Sequence, residues 1–212
     1  MQTSHGLNKE NMDKRLRKIT DYLLLKSLYM QDVGLFHGKM GIVLTLYANA
    51  NRYQDDLIEE YAWDLLQQVY DGVHTDMPLG LENGLAGIGY GTTLLYEHGW
   101  VGCDLNDILF DIDAKIMERD PRRLTDYSVR SGIKGLSIYL VERQKSGSPI
   151  FTFDNRYLSE IQSILANVSP MISDINIIDI INEPSFSDCE YIDKPIGIDG
   201  GSAFYLLKDA LT

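Results

Sequence analysis

The sequence has little cysteine, little positive charge and no long apolar run, and each shortage excludes a class of protein. Two cysteines in 212 residues, Cys103 and Cys189, cannot form a disulfide framework. Nineteen basic residues against 31 acidic ones give a formal net charge of −12, whereas nucleic-acid binding needs a surplus of positive charge. No apolar run approaches the roughly 20 residues that span a bilayer. We therefore expect neither a nucleic-acid partner nor a membrane span.

The first 18 residues are polar and lack the apolar centre of a secretory signal peptide, so we expect a cytoplasmic protein. The composition is 44% hydrophobic, which is enough to bury a sizeable core at this length. We therefore predict a single domain over residues 1–212.

What the sequence does contain is a glycine-rich segment in four copies, which begin at Gly34, Gly80, Ser128 and Gly197. Each copy has two small residues three positions apart, followed by an apolar run. These pairs are Gly38 and Gly41, Gly84 and Gly87, Gly132 and Gly135, and Gly200 and Ala203. Successive pairs are 46, 48 and 68 residues apart, so an insertion is expected before the last copy. With this alignment, the fourth copy has one residue fewer between its start and Gly200 than the other copies have between their starts and the first glycine of the pair.

Amphipathic stretches alternate with these glycine segments. Residues 14–28, 55–70, 104–117 and 155–168 have apolar positions at helical spacing, and Asp104 and Asp154 are expected N-caps. The segments after the glycines are apolar nearly all round, as in residues 41–50, which predicts buried helices. We therefore predict an all-α fold: an α/α toroid, or partial toroid, of about four helical hairpins with glycine-started inner helices. The one exception is a short strand, which we predict at residues 148–153.

The glycines are better explained by close packing than by phosphate binding. Phosphate loops follow a β-strand and, in nucleotide sites, carry a Lys-Ser/Thr pair; no such context surrounds these segments. Glycine permits close backbone approach where helix starts converge on an axis. Helix N-termini gathered there would also offer unpaired N–H groups to an anion.

The glycine segments resemble those of the lanthionine cyclase (LanC-like) family, whose hallmark is Gly-Leu-x-x-Gly-x-Ala-Gly at the start of the inner helices of an α/α toroid. Residues 80–87 match it fully, residues 34–41 have Met40 in place of alanine, and the other two copies are weaker. The resemblance covers residues 34–207. It implies a role in maturing ribosomal peptides, in which family members add a cysteine thiol across a dehydroamino acid with the help of zinc.

The sequence departs from that family at the zinc ligands. The family holds zinc with Trp-Cys-x-Gly and Cys-His-Gly segments, but here Asp64 follows Trp63 and Val101 follows Trp100. The nearest histidine segment is Phe36-His37-Gly38, which has no cysteine. We therefore expect no cofactor, although zinc stays possible, and assign no metal ligands.

Four residues beside the glycines are candidates for the site. His37 is the expected acid/base residue, and Glu82, Asn83 and Asp199 are expected to bind substrate; packing, solvation and, for Asp199, N-capping are the alternatives. We predict an accessory or degenerate LanC-like protein with a peptide substrate or protein partner. An active thioether cyclase, a sugar-processing toroid and a helical scaffold, which would form a homodimer or bind a partner, stay open as alternatives.

Overall fold

The secondary structure of the described residues is entirely helical. The computed structural model describes residues 4–102, 104–146, 153–166 and 176–211, with side chains from residue 14. The α-helices in these ranges are α1 (Ser4–Ser27), α2 (Lys39–Tyr53), α3 (Asp56–Asp71), α4 (Leu85–Glu97), α5 (Leu105–Met117), α6 (Ile133–Ser146), α7 (Asn155–Ala166) and α8 (Ala203–Leu211). Single-turn 3₁₀ helices occupy Pro121–Arg123 and Ile177–Asp179. The all-α prediction is confirmed, while the strand predicted at 148–153 lies outside the described residues except for Phe153.

Two kinds of helix alternate along the chain, as the sequence predicts. Every residue of α2 from 40 to 50 is buried, and so is every residue of α4 from 85 to 93. By contrast, α3 buries one stripe of four residues and exposes its charged face; the stripe consists of Ala62, Leu65, Leu66 and Val69. The helices α2, α4, α6 and α8 are therefore called inner helices, and α1, α3, α5 and α7 outer helices.

The inner helices contact one another in the order α8, α2, α4, α6. Each inner helix also contacts an outer one: α8 packs on α1, α2 on α3, α4 on α5, and α6 on α7. The first and last helices of the chain thus pair with each other. No described helix combines the length and the apolarity that crossing a bilayer requires.

The outer helices α3, α5 and α7 begin at side-chain caps. The Asp104 carboxylate accepts a hydrogen bond from the Asn106 N–H at 2.8 Å. The Asp154 carboxylate accepts one from the Arg156 N–H at 2.7 Å, so both predicted N-caps are confirmed. Asp55 caps α3 in the same way, accepting from Leu57 and Ile58.

The inner helices begin differently, at glycines without side-chain caps. Each first N–H donates to a carbonyl seven residues back in its own loop: Lys39 to Asp32 at 2.8 Å, for example, and Leu85 to Pro78 at 2.9 Å. This tight fold-back explains the glycine, because a Cβ on Gly84 would lie 2.2 Å from the Pro78 oxygen. These N–H groups are therefore occupied by backbone, which overturns the expectation that they are open to an anion.

The second glycines of the pairs, Gly41, Gly87 and Gly135, are the third residues of α2, α4 and α6. A Cβ on Gly87 would lie 2.0 Å from the Leu81 oxygen, and one on Gly135 would lie 2.1 Å from the Val129 oxygen. Both oxygens belong to the loop that precedes the same helix, whereas the neighbouring copy comes no nearer than 3.0 Å to either position. The expectation that these glycines serve approach between helix starts is therefore corrected: Gly87 and Gly135 mainly let each loop pack on its own helix.

The same hydrogen bonds correct the register of the fourth copy. Ser202 donates to the Pro195 oxygen at 2.9 Å, so Ser202 is the counterpart of Lys39 and Leu85. Gly201, not Gly200, therefore corresponds to Gly38, and the copy is not one residue short. Gly200 instead has a positive φ of 65°. Phe204, not Ala203, takes the place of Gly41.

Candidate functional site

The four loops that precede the inner helices meet one another through their backbones. Asp199 N donates to Phe36 O at 3.2 Å, Phe36 N to Glu82 O at 3.0 Å, and Glu82 N to Arg130 O at 2.8 Å. All four residues hold the third position of their repeat copy. The loops are therefore joined in the order fourth, first, second, third, and the prediction that the glycine segments converge is confirmed.

The first glycine of three copies makes these junctions possible. A Cβ on Gly34 would lie 2.7 Å from Asn83 Cα, and one on Gly80 would lie 2.6 Å from Ser131 Cα. Gly197 is placed in the same way against the first copy. The third copy has Ser128 at this position, and its loop is the last in the order in which the four loops are joined. Close approach between copies therefore depends on the first glycine of three of the four segments.

Arg130 connects the third loop to the fourth through its side chain. Its Nη2 donates to Asp199 Oδ2 at 2.6 Å and its Nη1 donates to Oδ1 at 3.2 Å. Its Nε donates to Glu82 Oε2 at 2.8 Å. The guanidinium carbon also lies 4.8 Å from the centre of the Phe36 ring, which is a cation–π distance. One arginine therefore holds residues of three other copies.

Asp199 is the most buried carboxylate of this group, with a side chain only 6% exposed. Besides Arg130, its Oδ1 accepts from the Asn182 backbone N–H at 2.7 Å and from Asn182 Nδ2 at 2.9 Å. Burial raises the pKa of Asp199, but the hydrogen bonds from Arg130 and Asn182 outweigh it and leave the pKa below its usual value of 3.8. Asp199 is therefore ionised at neutral pH, and it caps no helix, since α8 begins at Ala203.

Glu82 and Arg130 shift each other's protonation equilibria. The hydrogen bond from Arg130 lowers the pKa of Glu82 below its usual 4.5 against the opposing effect of burial. The hydrogen bonds to Glu82 and Asp199 raise the pKa of Arg130 further above its ordinary value. Two negative charges therefore surround one positive charge, which leaves a net charge of −1 beside His37.

His37 lies over these carboxylates with its side chain 47% exposed. Its Nε2 is 3.1 Å from Glu82 Oε1 and 3.3 Å from Asp199 Oδ2. A proton taken up by the imidazole would neutralise the net charge of the group. We call His37, Glu82, Arg130 and Asp199 the axial cluster; its chemistry is that of a solvent-accessible proton donor and acceptor held by fixed charges.

Three of the four predicted site residues come together, and one does not. His37, Glu82 and Asp199 belong to the axial cluster, whereas the Asn83 side chain is exposed and only its backbone contacts Gly34. The sequence reasoning missed Arg130 and Asn182. Arg130 had a signal, because it holds the same repeat position as Glu82 and Asp199. Asn182 had none, since it comes from the insertion before the last copy.

The cysteine that the structure describes takes no part in this site. Cys103 lies outside the described residues, and Cys189 is exposed, with its thiol 3.4 Å from Asp188 Oδ1. Among the described residues, no three His, Cys, Asp or Glu side chains are arranged to hold a metal ion. In the axial cluster, the Arg130 guanidinium lies between the two carboxylates, so this donor set does not suit zinc.

Comparison with known proteins adds no family to this picture. No protein-family model matches the chain, and no curated protein matches it.

Proposed function

We propose that the chain is a LanC-like accessory protein that binds a peptide at the axial cluster during the maturation of ribosomally made peptides. In this proposal, the inner helices form a partial α/α toroid, and their converging loops make the peptide-binding face. The proposal takes its peptide chemistry from the resemblance of residues 80–87 to the LanC-like glycine motif.

The observation that carries the proposal is the position of His37. The imidazole is half exposed, while the carboxylates beneath it are engaged by Arg130. A neutral imidazole offers one hydrogen-bond donor and one acceptor; because Nε2 lies beside the carboxylates, Nδ1 is the atom left to accept from a peptide N–H. The fixed carboxylates hold the ring in place and favour the form that carries a proton on Nε2.

The donor set favours binding over zinc-assisted cyclisation. Catalytic zinc needs three protein ligands and an open position for substrate, and the axial cluster supplies one histidine with two carboxylates already bound by arginine. No step of the proposed function therefore passes through a metal ion.

A cyclase that works by proton transfer is the second candidate, favoured by the two short distances from His37 Nε2. In thioether formation, a sulfur–carbon bond forms at the β-carbon, the carbon–carbon π bond breaks, and the α-carbon takes up a proton. The His37 imidazolium would donate that proton, and the thiol proton would pass to solvent. A sugar hydrolase is disfavoured, because it needs one protonated carboxyl group and Arg130 keeps both carboxyl groups ionised.

The test uses two synthetic peptides, one with a dehydroalanine three residues before a cysteine and one with alanine in its place. The imidazole ¹H–¹⁵N signals of the protein are recorded during titration, and the His37 signal is assigned with His37→Gln. Both peptides are expected to move the His37 signal until it saturates, and His37→Gln is expected to weaken binding. The control His74→Gln, at an exposed histidine, is expected to bind like the wild type.

Alkylation of free thiol with iodoacetamide, followed by mass spectrometry, separates the two candidates. Thiol lost from the dehydroalanine peptide but not from the alanine peptide would identify the cyclase. Thiol retained in both, together with saturable binding, would support the accessory role. Peptides that leave the His37 signal unmoved would refute both.

A further inference from the structure

A second site lies at the other end of α2, away from the axial cluster. The helix has 15 residues, so its ends are about 22 Å apart. Three adjoining cavities of 580, 230 and 430 Å³ lie around its C-terminal end and the start of α3, and Asp56 lines all three. We call this surface the acidic groove; the residues that define it are Asn49, Asp56, Glu59, Glu60, Trp63 and Trp100.

The acidic groove has a net negative charge, because Arg17 is the single cation among the described residues that line its three cavities and five carboxylates are among them. Asp56, Glu59 and Glu60 are exposed on the first turns of α3, and the described residues place no cation within ion-pair distance of them. Elsewhere on the surface, carboxylates do have partners, such as Asp209 with Arg52 at 2.8 Å. The groove therefore attracts a cation from outside the chain.

The aromatic residues of the groove suit the same ligand. Trp63 is 43% exposed, so its ring is accessible to a ligand. Trp100 is half-buried and stacks on His98, with ring centres 4.5 Å apart. Indole faces beside carboxylates bind lysine and arginine side chains through cation–π attraction and charge together. These are the two tryptophans of the chain.

Asn49 gives an independent indication that a ligand binds here. It lies inside α2, is only 5% exposed and lines the largest of the three cavities. The described residues give its side-chain amide no hydrogen-bond partner. The amide is therefore left to solvent or to a ligand in the cavity, and an asparagine amide, with one carbonyl and one NH₂, matches the backbone of a peptide.

We propose that the acidic groove binds a basic peptide segment. Asn49 pairs with the peptide backbone, while the carboxylates and indoles take its lysine or arginine side chains. This proposal uses none of the residues of the axial cluster, so it stands or falls separately from the proposed function.

The test titrates the protein with a nine-residue peptide of alternating lysine and glycine, using a peptide of alternating glutamine and glycine as control. Because both tryptophans line the groove, intrinsic fluorescence reports binding directly. The lysine peptide is expected to change the fluorescence saturably at physiological salt, and the glutamine peptide is not. Equal responses to both peptides would overturn the proposal.

Two sets of variants separate the groove from the overall negative charge of the protein. Asp56→Asn with Glu59→Gln is expected to weaken binding about tenfold, since each ion pair is worth about three- to fivefold. Asp111→Asn with Asp179→Asn removes the same charge from exposed residues elsewhere and is expected to change binding less than twofold. Equal losses in the two double variants would assign the binding to diffuse charge and overturn the proposal.

A third variant, Asn49→Ala, tests the backbone contact at unchanged charge. It is expected to weaken the binding of the lysine peptide severalfold. The melting temperature should stay near that of the wild type, since alanine favours helix. Unchanged affinity would overturn the proposal of a peptide ligand, because the binding would then need only a cation.

Discussion

Arg130 and Asp199 are 69 residues apart in the sequence, and their side chains form a two-pronged ion pair with Nη2 and Oδ2 at 2.6 Å. This pair joins the third and fourth glycine loops, whereas backbone hydrogen bonds join the others. The guanidinium thus completes the contact among the four copies. It also anchors the two carboxylates beneath His37.

Removing Arg130 is expected to destabilise the protein substantially. Arg130→Ala leaves the buried Asp199 carboxylate without its counter-charge, which costs about 2–4 kcal/mol in the free energy of unfolding. Urea denaturation measures this loss. Arg122→Ala is the matched control, because its partner Asp120 is at the surface, and we expect it to leave stability unchanged.

A double-mutant cycle then tests whether the loss belongs to this pair. Combining Arg130→Ala with Asp199→Asn is expected to cost less than the sum of the single changes, by about 1–2 kcal/mol. Additive single effects would show that Arg130 and Asp199 do not interact.

The carboxylates of the axial cluster predict a specific loss of stability in acid. Their folded-state pKa values lie below the ordinary values of 4.5 for Glu82 and 3.8 for Asp199. The stabilisation they give is therefore complete above those ordinary values and is lost as the pH falls through them toward the folded values. Glu82→Gln with Asp199→Asn is expected to be less stable than the wild type at pH 7 and nearer to it at about pH 3.

Asp113 has the opposite effect on how stability depends on pH, but it does not disturb this comparison. Burial raises its pKa to about 6, so its contribution to stability falls as the pH rises from 3.8 to about 6. Because Asp113 is present in both proteins, its effect cancels in the difference between their unfolding curves. Parallel curves from pH 7 to about 3 would contradict a charged role for Glu82 and Asp199.

The glycine at the start of α4 is expected to tolerate no side chain. In Gly84→Ala, the new methyl group would meet the Pro78 oxygen at 2.2 Å, and the loop must move; the expected loss is about 3 kcal/mol. Gly102→Ala is the control, because a Cβ there meets nothing within 4 Å and φ is not positive. Thermal unfolding of the two variants should differ clearly, and a stable Gly84→Ala would refute the proposed fold-back.

Gly38 and Gly201 show how much of this fold can be predicted from the sequence. The spacing of Gly38 and Gly84 correctly predicts where α2 and α4 begin, because a local fold-back requires glycine at one position. In the fourth copy, two adjacent glycines satisfy the motif equally well. Only the hydrogen bond from Ser202 to Pro195 identifies Gly201 as the counterpart of Gly38.

The axial cluster was predictable in part for a similar reason. His37, Glu82 and Asp199 stand beside glycines and were found through them. Arg130 stands at the repeat position of Glu82, but its role depends on which loops are neighbours in space. Asn182 reaches Asp199 from an insertion with no repeat pattern, so local periodicity could not indicate it.

Asp113 and Arg143 form a fully buried ion pair between α5 and α6, at 3.0 Å, and Tyr139 also donates to Asp113. Asp113→Asn would leave the arginine charge buried without its carboxylate, at an expected cost of about 3–5 kcal/mol. The control Asp111→Asn changes an exposed residue on the same helix, and we expect an effect within about 0.5 kcal/mol. Similar unfolding midpoints for the two variants would show that the pair is not buried.

Convergence of the four glycine loops is the central claim, and a nuclear Overhauser effect between Phe36 and Arg130 tests it most directly. The Arg130 guanidinium carbon lies 4.8 Å from the centre of the Phe36 ring, although 94 residues separate the two in the sequence. The structure predicts cross-peaks between the Phe36 ring protons and the Arg130 side chain, and their loss in Arg130→Ala. If the assigned wild-type protein gives no such cross-peaks, the loops of the first and third copies do not meet, and the axial cluster does not exist.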